Sequence, residues 1–300
     1  MTLMFATPLG RKQLSRIPTP YCAQAEEFLE QTRLCCAHLA PETKTIIRKL
    51  TTGAYTHYQF TGVPITKRMP PTPETYPPPE HSPTYQAEGI IGCIAQSLGR
   101  MFGYRENCQH LIYDIYPVRG YEQSSSFINS RKMLGFHSDG SAHTKLIPDY
   151  TLLFCIRSDP NSINLIADVK NIVKQLPKWV MDELFEPNFL HMVSQNPPRT
   201  IRKPILSHED GELSIAYDDE TVSGTDARSK NALELLNQAS EQTASPIKNH
   251  PNSLLVLNNK RCLHARTAFT PKYNGEDRWI KGTYVSCTPI KNGTILTLDP

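Results

Sequence analysis

Four short apolar or alternating segments place the strongest constraint on the fold of this chain. They lie at residues 111–116, 149–156, 253–258 and 279–287, and residues typical of turns bound them. Segments of this length and composition are typical of β-strands. Strands on both sides of a long intervening segment favour one β-sandwich of the jelly-roll type with an inserted subdomain. We therefore predict a mostly β fold with flanking helices, of the α+β class.

The segment between the second and third of these strands has helical character. Residues 208–229 are polar, and three patches show apolar residues at helical spacing. The patches are 172–176, 179–184 and 231–236. We predict that the chain, 1–300, is a single domain. Its jelly-roll core would span 104–290, and residues 170–250 would form an inserted helical lid.

Residues 24–103 are predicted to support this core from outside. Apolar periodicity indicates helices at 24–40 and 87–101, and residues 55–63 alternate like a strand. Residues 69–83 contain seven prolines, which excludes a regular helix or an inner strand. A stiff connecting loop is favoured over a recognition ligand for another protein.

Charge and cysteine content limit the partners and the compartment. The net charge of +3 over 300 residues is too small to indicate nucleic acid or an anionic membrane as a partner. The eight cysteines form no CxxC pair, which favours buried thiols in a reducing cytosol over a disulfide scaffold. No window reaches the roughly 18 apolar residues of a membrane span. We expect a soluble, cytoplasmic protein.

Three residues suggest a metal site. His137 and Asp139 are two positions apart, and residues at this spacing on a strand point to the same face. His264 follows an apolar strand 264 − 137 = 127 residues later. Two histidines and one carboxylate on a β-scaffold can form a facial triad, which leaves metal positions open and suits non-haem Fe(II).

Arg278 is a fourth candidate residue. It lies 278 − 264 = 14 residues beyond His264 and opens the last predicted strand. A strand that returns past the metal could offer this guanidinium to the remote carboxylate of a bidentate acid.

The same residues also allow other interpretations. An isolated HxD triplet occurs by chance in many loops, and His143 is close enough in sequence to be a structural neighbour of His137. Zinc also accepts His, Asp and His with an open position, which would give a metal hydrolase. A non-catalytic jelly-roll binding protein and a protein-modifying oxygenase are further alternatives. The combination of HxD, a distant His and a following Arg favours the oxygenase.

Several motifs resemble those of the clavaminate-synthase-like, taurine-dioxygenase-related branch of the Fe(II)/2-oxoglutarate-dependent oxygenases, which includes hydroxylases of free amino acids. The resemblance covers the chain from about residue 104 to 286. The motifs lie at 134–143, 148–150, 155–157, 263–269 and 277–279.

The resemblance implies a double-stranded β-helix core with a lid. It implies Fe(II) held by His137, Asp139 and His264, and 2-oxoglutarate whose C5 carboxylate is bound by Arg278. With O2, such an enzyme would hydroxylate, desaturate or cyclise a small amino-acid-like substrate and release succinate and CO2. Relatives often have Glu at the position of Asp139, and either carboxylate can bind iron.

Two positions depart from the family pattern. Asn164 stands where relatives tend to have a Thr that helps to hold 2-oxoglutarate, and Asn can still donate a hydrogen bond. Gly282 stands where related amino acid hydroxylases usually carry an Arg for the substrate α-carboxylate. Arg266 and Lys281 are conceivable substitutes for that Arg.

Further substrate contacts are predicted on two segments. Asn107, after Glu106, lies where relatives bind the substrate amine. Asp218, Asp219 and Glu220 lie in the predicted lid. They could receive a cationic group of the substrate, although a solvated acidic loop explains them as well.

Overall fold

The computed structural model describes residues 14, 17–21, 25–63, 65, 69–76, 86–104, 110–143, 146–195, 197–290 and 295–296. The helices are α1 (Ala25–Cys35), α2 (Pro41–Thr51), α3 (Gln86–Leu98), α4 (Val169–Gln175), α5 (Lys178–Leu184) and α6 (Ala227–Thr243). The strands are β1 (His57–Phe60), β2 (Arg100–Tyr104), β3 (Tyr113–Ile115), β4 (Leu134–His137), β5 (Tyr150–Arg157), β6 (Ile163–Asp168), β7 (Phe189–Gln195), β8 (Pro198–Lys203), β9 (Leu206–Glu209), β10 (Glu212–Ile215), β11 (Val222–Gly224), β12 (Ser245–Lys248), β13 (Ser253–Asn258), β14 (Cys262–Arg266), β15 (Trp279–Ser286) and β16 (Ile295–Leu296).

Two sheets, antiparallel except for the parallel β2–β16 pair, form the centre of the protein. The larger sheet has the order β1-β13-β5-β15-β2-β16, and β3 also pairs with β15. The smaller sheet has the order β12-β6-β14-β4. Leu255 and Leu257 of β13 pack in one buried cluster with Ile166 of β6 and Cys262 of β14. The inner faces of the two sheets therefore face each other, and burial of these side chains stabilises the pair.

Helices cover the outer face of the larger sheet. Alternate residues of β5, such as Leu152 and Phe154, pack in the same cluster as Ile90, Ile91 and Ile94 of α3. Helix α1 packs against α3, where Gly92 leaves room for the Thr32 and Phe28 side chains. The opposite, inner positions of β5 are thereby left for the space between the sheets.

The segment between β6 and β12 covers the outer face of the smaller sheet. It contains α4, α5, α6, the three-stranded sheet β11-β7-β8 and the hairpin β9-β10. Phe189 and Leu236 from this segment pack in one cluster with Phe136 of β4 and Leu263 and Ala265 of β14. The strands that carry the site are therefore sandwiched between two hydrophobic layers.

Several sequence predictions need correction. The predicted helix at 87–101 ends at Leu98, and Met101 is a buried residue of β2. The predicted helix at 24–40 ends as an α-helix at Cys35. Pro41 is the first residue of α2, a position where the missing N–H of proline removes no intrahelical hydrogen bond. The polar stretch 208–229 contains β10 and β11.

Two findings concern the loops and the membrane. Within 69–76 the chain forms neither helix nor strand, as predicted, and the rest of the proline-rich segment lies outside the described residues. None of the helices in the described part of the chain is both long and apolar enough to cross a bilayer.

Candidate metal and co-substrate centre

Strand pairing brings the two histidines together. His137 ends β4, and His264 lies opposite it on β14. Their ring centroids are 4.1 Å apart. His137 Nε2 lies 4.0 Å from Asp139 Oδ1, and His264 Nε2 lies 3.7 Å from Asp139 Oδ2. One ligand atom from each of the three residues lies within 4.8 Å of the others, which is close enough for all three to bind one ion.

Asp139 is not on the strand, contrary to the expectation from its spacing. β4 ends at His137, and Asp139 is part of the turn that follows. Its carboxylate is directed by Thr151 of β5, whose Oγ1 donates a 2.7 Å hydrogen bond to Asp139 Oδ2. The triad thus combines two residues of the smaller sheet with a turn residue held from the larger sheet.

The electrostatic environment of the three triad side chains suits the binding of a cation. Burial, and then the proximity of His137, lower the pKa of His264 well below its usual value. Burial raises the pKa of Asp139, although His137 and Thr151 oppose this. His137 Nδ1 lies 2.9 Å from the Gly135 carbonyl oxygen. An N–H there leaves the Nε2 lone pair for a metal.

Two buried arginines lie beside the triad on the inner side of the sheets. Arg266 ends β14, and Arg278 immediately precedes β15; both are buried. Burial and the neighbouring Arg278 lower the pKa of Arg266 to about 9. Burial lowers the pKa of Arg278 to about 10, and Cys155 and Asp159 oppose the shift. These two lowered pKa values indicate guanidinium groups that are buried away from water and are not fully balanced by negative charges nearby.

Several guanidinium nitrogens have no partner among the described residues. These are Nε and Nη1 of Arg266 and Nε of Arg278. Arg266 does donate through Nη2 to Asn129 Oδ1 and to the Lys132 carbonyl oxygen. Buried donors are normally satisfied. The pair of arginines therefore fits an anion with several acceptor oxygens, such as a carboxylate.

Asn164 lies next to this pair. It faces Arg266 across the β6–β14 ladder, and its Nδ2 donates a 2.9 Å hydrogen bond to Asn249 Oδ1. The position predicted to help hold a co-substrate is therefore adjacent to the two arginines.

Gly282 and Lys281 lie on opposite faces of β15. A Cβ at Gly282 would overlap the ring of Tyr113, so the Tyr113 side chain occupies the space that a longer side chain would need. Lys281 Nζ lies 2.8 Å from Asp114 Oδ1 and 3.2 Å from Glu88 Oε1. The structure therefore contradicts the hypothesis that Lys281 substitutes for an arginine at position 282, because Lys281 points toward α3.

The predicted acidic substrate residues lie next to β4. Asp218 forms an isolated β-bridge with His137. The Asp219 carboxylate accepts hydrogen bonds from Tyr217 and Asn237. Glu220 Oε1 lies 2.7 Å from Lys132 Nζ. Asp218 Oδ1 accepts a 2.9 Å hydrogen bond from the Glu220 backbone N–H, so all three carboxylates have partners, and Asp218 is the one that pairs in register with a residue of the metal triad.

The remaining residues named from the sequence are His143, Glu106 and Asn107. His143 is outside the metal-ligating group, and its ring centroid is 4.3 Å from that of Tyr104. Asn107 and Glu106 lie outside the described residues.

An aromatic layer that was not predicted from the sequence lies beside the triad. Tyr104, Tyr113 and Tyr284 belong to one buried cluster on the inner face of the larger sheet. Tyr104 and Tyr284 have ring centroids 5.3 Å apart, and those of Tyr113 and Tyr284 are 4.9 Å apart. Alternation along β15 could have identified Tyr284, because it shares a face with Gly282.

These observations define a centre of two histidines and one carboxylate. The two buried arginines, Arg266 and Arg278, lie beside it. The family model "Taurine catabolism dioxygenase TauD, TfdA family" matches residues 86–284. The chain belongs to this family, and the resemblance predicted from the motifs is confirmed.

Related sequences agree with this assignment. The chain is 26% identical over 295 residues to clavaminate synthase 2 of Streptomyces clavuligerus, covering 89% of this chain and 90% of that protein. It is 24% identical over 278 residues to L-lysine 3-hydroxylase of Catenulispora acidiphila, covering 87% and 76%. It is 27% identical over 237 residues to L-asparagine oxygenase of Streptomyces coelicolor, covering 75% and 69%.

Solved structures share the fold. Asparagine oxygenase in complex with Fe(II), 2S,3S-3-hydroxyasparagine and succinate superposes with a TM-score of 0.87 at 22% identity, covering 97% of this chain and 95% of that one. The non-haem iron oxygenase OrfP in complex with Fe and α-ketoglutaric acid gives a TM-score of 0.80 at 21% identity, covering 94% and 93%.

Proposed function

We propose that this protein is an Fe(II)- and 2-oxoglutarate-dependent oxygenase. It would oxidise an unactivated C–H bond of an amino acid or amino-acid-derived metabolite. The observation that carries the proposal is the conjunction of the triad His137, Asp139 and His264 with unpartnered donors of Arg266 and Arg278. A hydrolytic zinc site would leave these two buried cations without a role.

We propose a fold division that follows from this function. The two central sheets would be the double-stranded β-helix, or jelly-roll, core at 104–290, with 24–103 as its support. The segment 170–250 would be a lid, because it covers the β4 and β14 strands that carry the histidines.

Each residue has a defined task in this mechanism. His137, Asp139 and His264 would hold the iron on one side and leave the other side for ligands. Arg278 would bind the remote carboxylate of 2-oxoglutarate through its guanidinium fork. When bound, iron and 2-oxoglutarate supply, with O2, the oxidising power for the C–H bond, and succinate and CO2 are released. The surrounding sheets exclude water and position the target bond.

Arg266 and Asn164 fit the co-substrate better than the substrate. Arg266 was predicted as a substrate residue, but it lies close enough to Arg278 for the charge of Arg278 to lower the pKa of Arg266. Two adjacent guanidinium groups favour one shared anion. We assign Arg266 to the support of the 2-oxoglutarate carboxylate and retain Asn164 beside it.

The substrate would be held mainly by its other groups. Asp218 is the residue we propose for a cationic group, and Asn107 for the substrate amine. Since Tyr113 occupies the space beside Gly282, no arginine grips the α-carboxylate from that position. Substrates whose carboxylate is neutralised, as in an amide, would therefore be tolerated better than by an enzyme with an arginine there.

The relatives give the substrate panel for a test. Their names include lysine, asparagine, ornithine and arginine as substrates. Each amino acid should be tested as the free acid and as the α-carboxamide, with succinate release as the readout and mass spectrometry of the product to distinguish hydroxylation from desaturation or cyclisation. If every free acid reacts and no carboxamide does, the proposed tolerance is wrong.

The central test is an anaerobic titration. Fe(II) and 2-oxoglutarate added together should give the weak visible charge-transfer band of the chelate. The band should disappear in His137→Ala and remain in His143→Ala, a matched control because His143 lies outside the triad. If folded, iron-loaded wild-type protein gives no band, the oxygenase assignment fails.

A further inference from the structure

The backbone of Asp139 lacks the support that the two histidines receive. His137 and His264 lie on paired strands, and the β4–β14 and β6–β14 ladders fix their positions. Asp139 lies in the turn beyond β4, so no ladder holds its peptide groups. A peptide N–H and C=O in the interior must find other partners.

Asn259 supplies these partners. Asp139 N–H donates a 2.7 Å hydrogen bond to Asn259 Oδ1, and Asn259 Nδ2 donates a 2.9 Å hydrogen bond back to the Asp139 carbonyl oxygen. The same Nδ2 donates a 3.0 Å hydrogen bond to the Pro148 carbonyl oxygen. A carboxamide offers the same donor and acceptor as a peptide group. The Asn259 side chain therefore acts on Asp139 as a neighbouring strand would.

The location of Asn259 joins this contact to the rest of the triad. Asn259 is fully buried and lies in the turn that leads from β13 into β14, the strand of His264. Its own N–H donates to the Asp149 carbonyl oxygen, just before β5. Thr151, the partner of the Asp139 carboxylate, is two residues further along the chain. Through its side chain and its backbone, Asn259 thus connects the turn of Asp139, the strand of His264 and the segment of Thr151.

We propose that Asn259 is a positioning residue for the metal centre, which holds the Asp139 carboxylate in place through the Asp139 backbone. This proposal rests on the proposed iron-binding function of the triad. It does not place Asn259 in contact with the metal. The remaining two histidines would still bind a cation when Asn259 is removed, but the third ligand would be held less firmly.

The test is Fe(II) affinity, measured anaerobically by competition with a chromophoric chelator. Asn259→Ala should weaken Fe(II) binding by about 10- to 100-fold, the range found when residues that orient metal ligands are removed. Amide exchange of the Asp139 segment, measured by hydrogen–deuterium exchange without metal, should accelerate in the same variant. Neither readout depends on turnover.

Ser253→Ala is the matched control. Ser253 is also buried, and its side chain bonds with the backbone of His250 in the turn at the opposite end of β13. It touches no residue of the triad, so its removal should lower stability while Fe(II) affinity stays within about twofold of wild type. If folded Asn259→Ala binds Fe(II) as tightly as wild type, Asn259 has only a structural role and the proposal is wrong.

Two outcomes separate this proposal from the proposed function. If wild-type protein itself binds no Fe(II), both fail together, whereas wild-type binding with an unaffected Asn259→Ala overturns the positioning role alone. If Asn259→Ala does not fold, Asn259→Asp replaces it, because a carboxylate keeps the acceptor and loses both donated bonds. Its added negative charge by itself favours a cation, so weaker Fe(II) binding supports the positioning role, and unchanged amide exchange of the Asp139 segment overturns it.

Discussion

Two buried cationic groups, one on each side of the larger sheet at β15, differ in how their charge is balanced. On the outer face of β15, Lys281 contacts Asp114 and Glu88. Burial alone would lower the pKa of Lys281, but these two carboxylates outweigh it and hold the pKa well above its usual value. On the inner side, Arg278 and Arg266 have buried donors without partners among the described residues. Lys281 is thus paired with carboxylates of the chain itself, whereas the two arginines fit an anion from outside the chain.

This difference separates a structural ion cluster from a binding site. A buried ion pair is costly to break because the remaining partner is left uncompensated. An unpaired buried cation is costly to keep, and a protein retains it where a ligand supplies the opposite charge. The two faces of β15 should therefore respond to mutation in opposite ways.

Lys281→Met should produce the largest loss of stability. It leaves Asp114 and Glu88 buried without their cation, so the free energy of unfolding should fall by about 3–5 kcal/mol. Urea unfolding followed by circular dichroism measures this. The triple variant Lys281→Met, Asp114→Asn, Glu88→Gln should recover part of the loss, because it removes the uncompensated charges. An unchanged midpoint in the single variant would contradict the structural role.

Arg278→Met should affect binding rather than folding. Loss of the guanidinium partner should weaken 2-oxoglutarate binding by about 2–5 kcal/mol, which corresponds to about 30-fold or more in the dissociation constant. The ligand-free protein should be as stable as wild type or more stable, since an uncompensated buried charge is removed. Anaerobic titration of the charge-transfer band gives the affinity. If Arg278→Met is strongly destabilised but binds 2-oxoglutarate normally, Arg278 has a structural role and is not part of the co-substrate site.

The sequence predicted that His137, Asp139 and His264 would lie together, but it did not predict their surroundings, and the reason is geometric. His137 and His264 follow from strand register, since each lies on or next to a segment with strand-like pattern. The contact from Thr151 to Asp139 crosses from one sheet to the other, and no local pattern reports it. The same holds for the approach of Arg266 to Arg278, which depends on how β14 and β15 face each other.

The strands and helices of the segment between β6 and β12 were harder to predict from the sequence for a different reason. β8 has the sequence PRTIRK, in which the charged residues Arg199 and Lys203 occupy half-buried positions, so its alternation of apolar and polar residues is weak. Helix α6 runs from Ala227 to Thr243, much longer than the 231–236 patch. Its start could have been found, because Asp226 and Ser229 form a reciprocal capping box whose residue types and spacing resemble the common sequence signal.

Binding of 2-oxoglutarate should stabilise the folded protein, and this stabilisation should depend on Arg278. With Fe(II) present, 2-oxoglutarate at 100 times its dissociation constant should raise the free energy of unfolding by about 2.7 kcal/mol, because only the folded chain binds it. The same concentration should give little stabilisation to Arg278→Met. Lys281→Met, if folded, should retain the increment on top of its lower baseline. Thermal or urea unfolding with and without 2-oxoglutarate distinguishes the three proteins.

Arg266→Met should have the smallest effect, and it decides whether Arg266 serves the co-substrate or the substrate. Arg266 already donates through Nη2 to Asn129 and Lys132, so part of its guanidinium is engaged within the protein. We expect 2-oxoglutarate affinity without substrate to fall about tenfold, as for one charged hydrogen bond. Unchanged affinity together with a higher substrate KM would instead return Arg266 to the substrate. The inner face of β15 would then hold a single co-substrate arginine, and the second buried cation would belong to the substrate carboxylate.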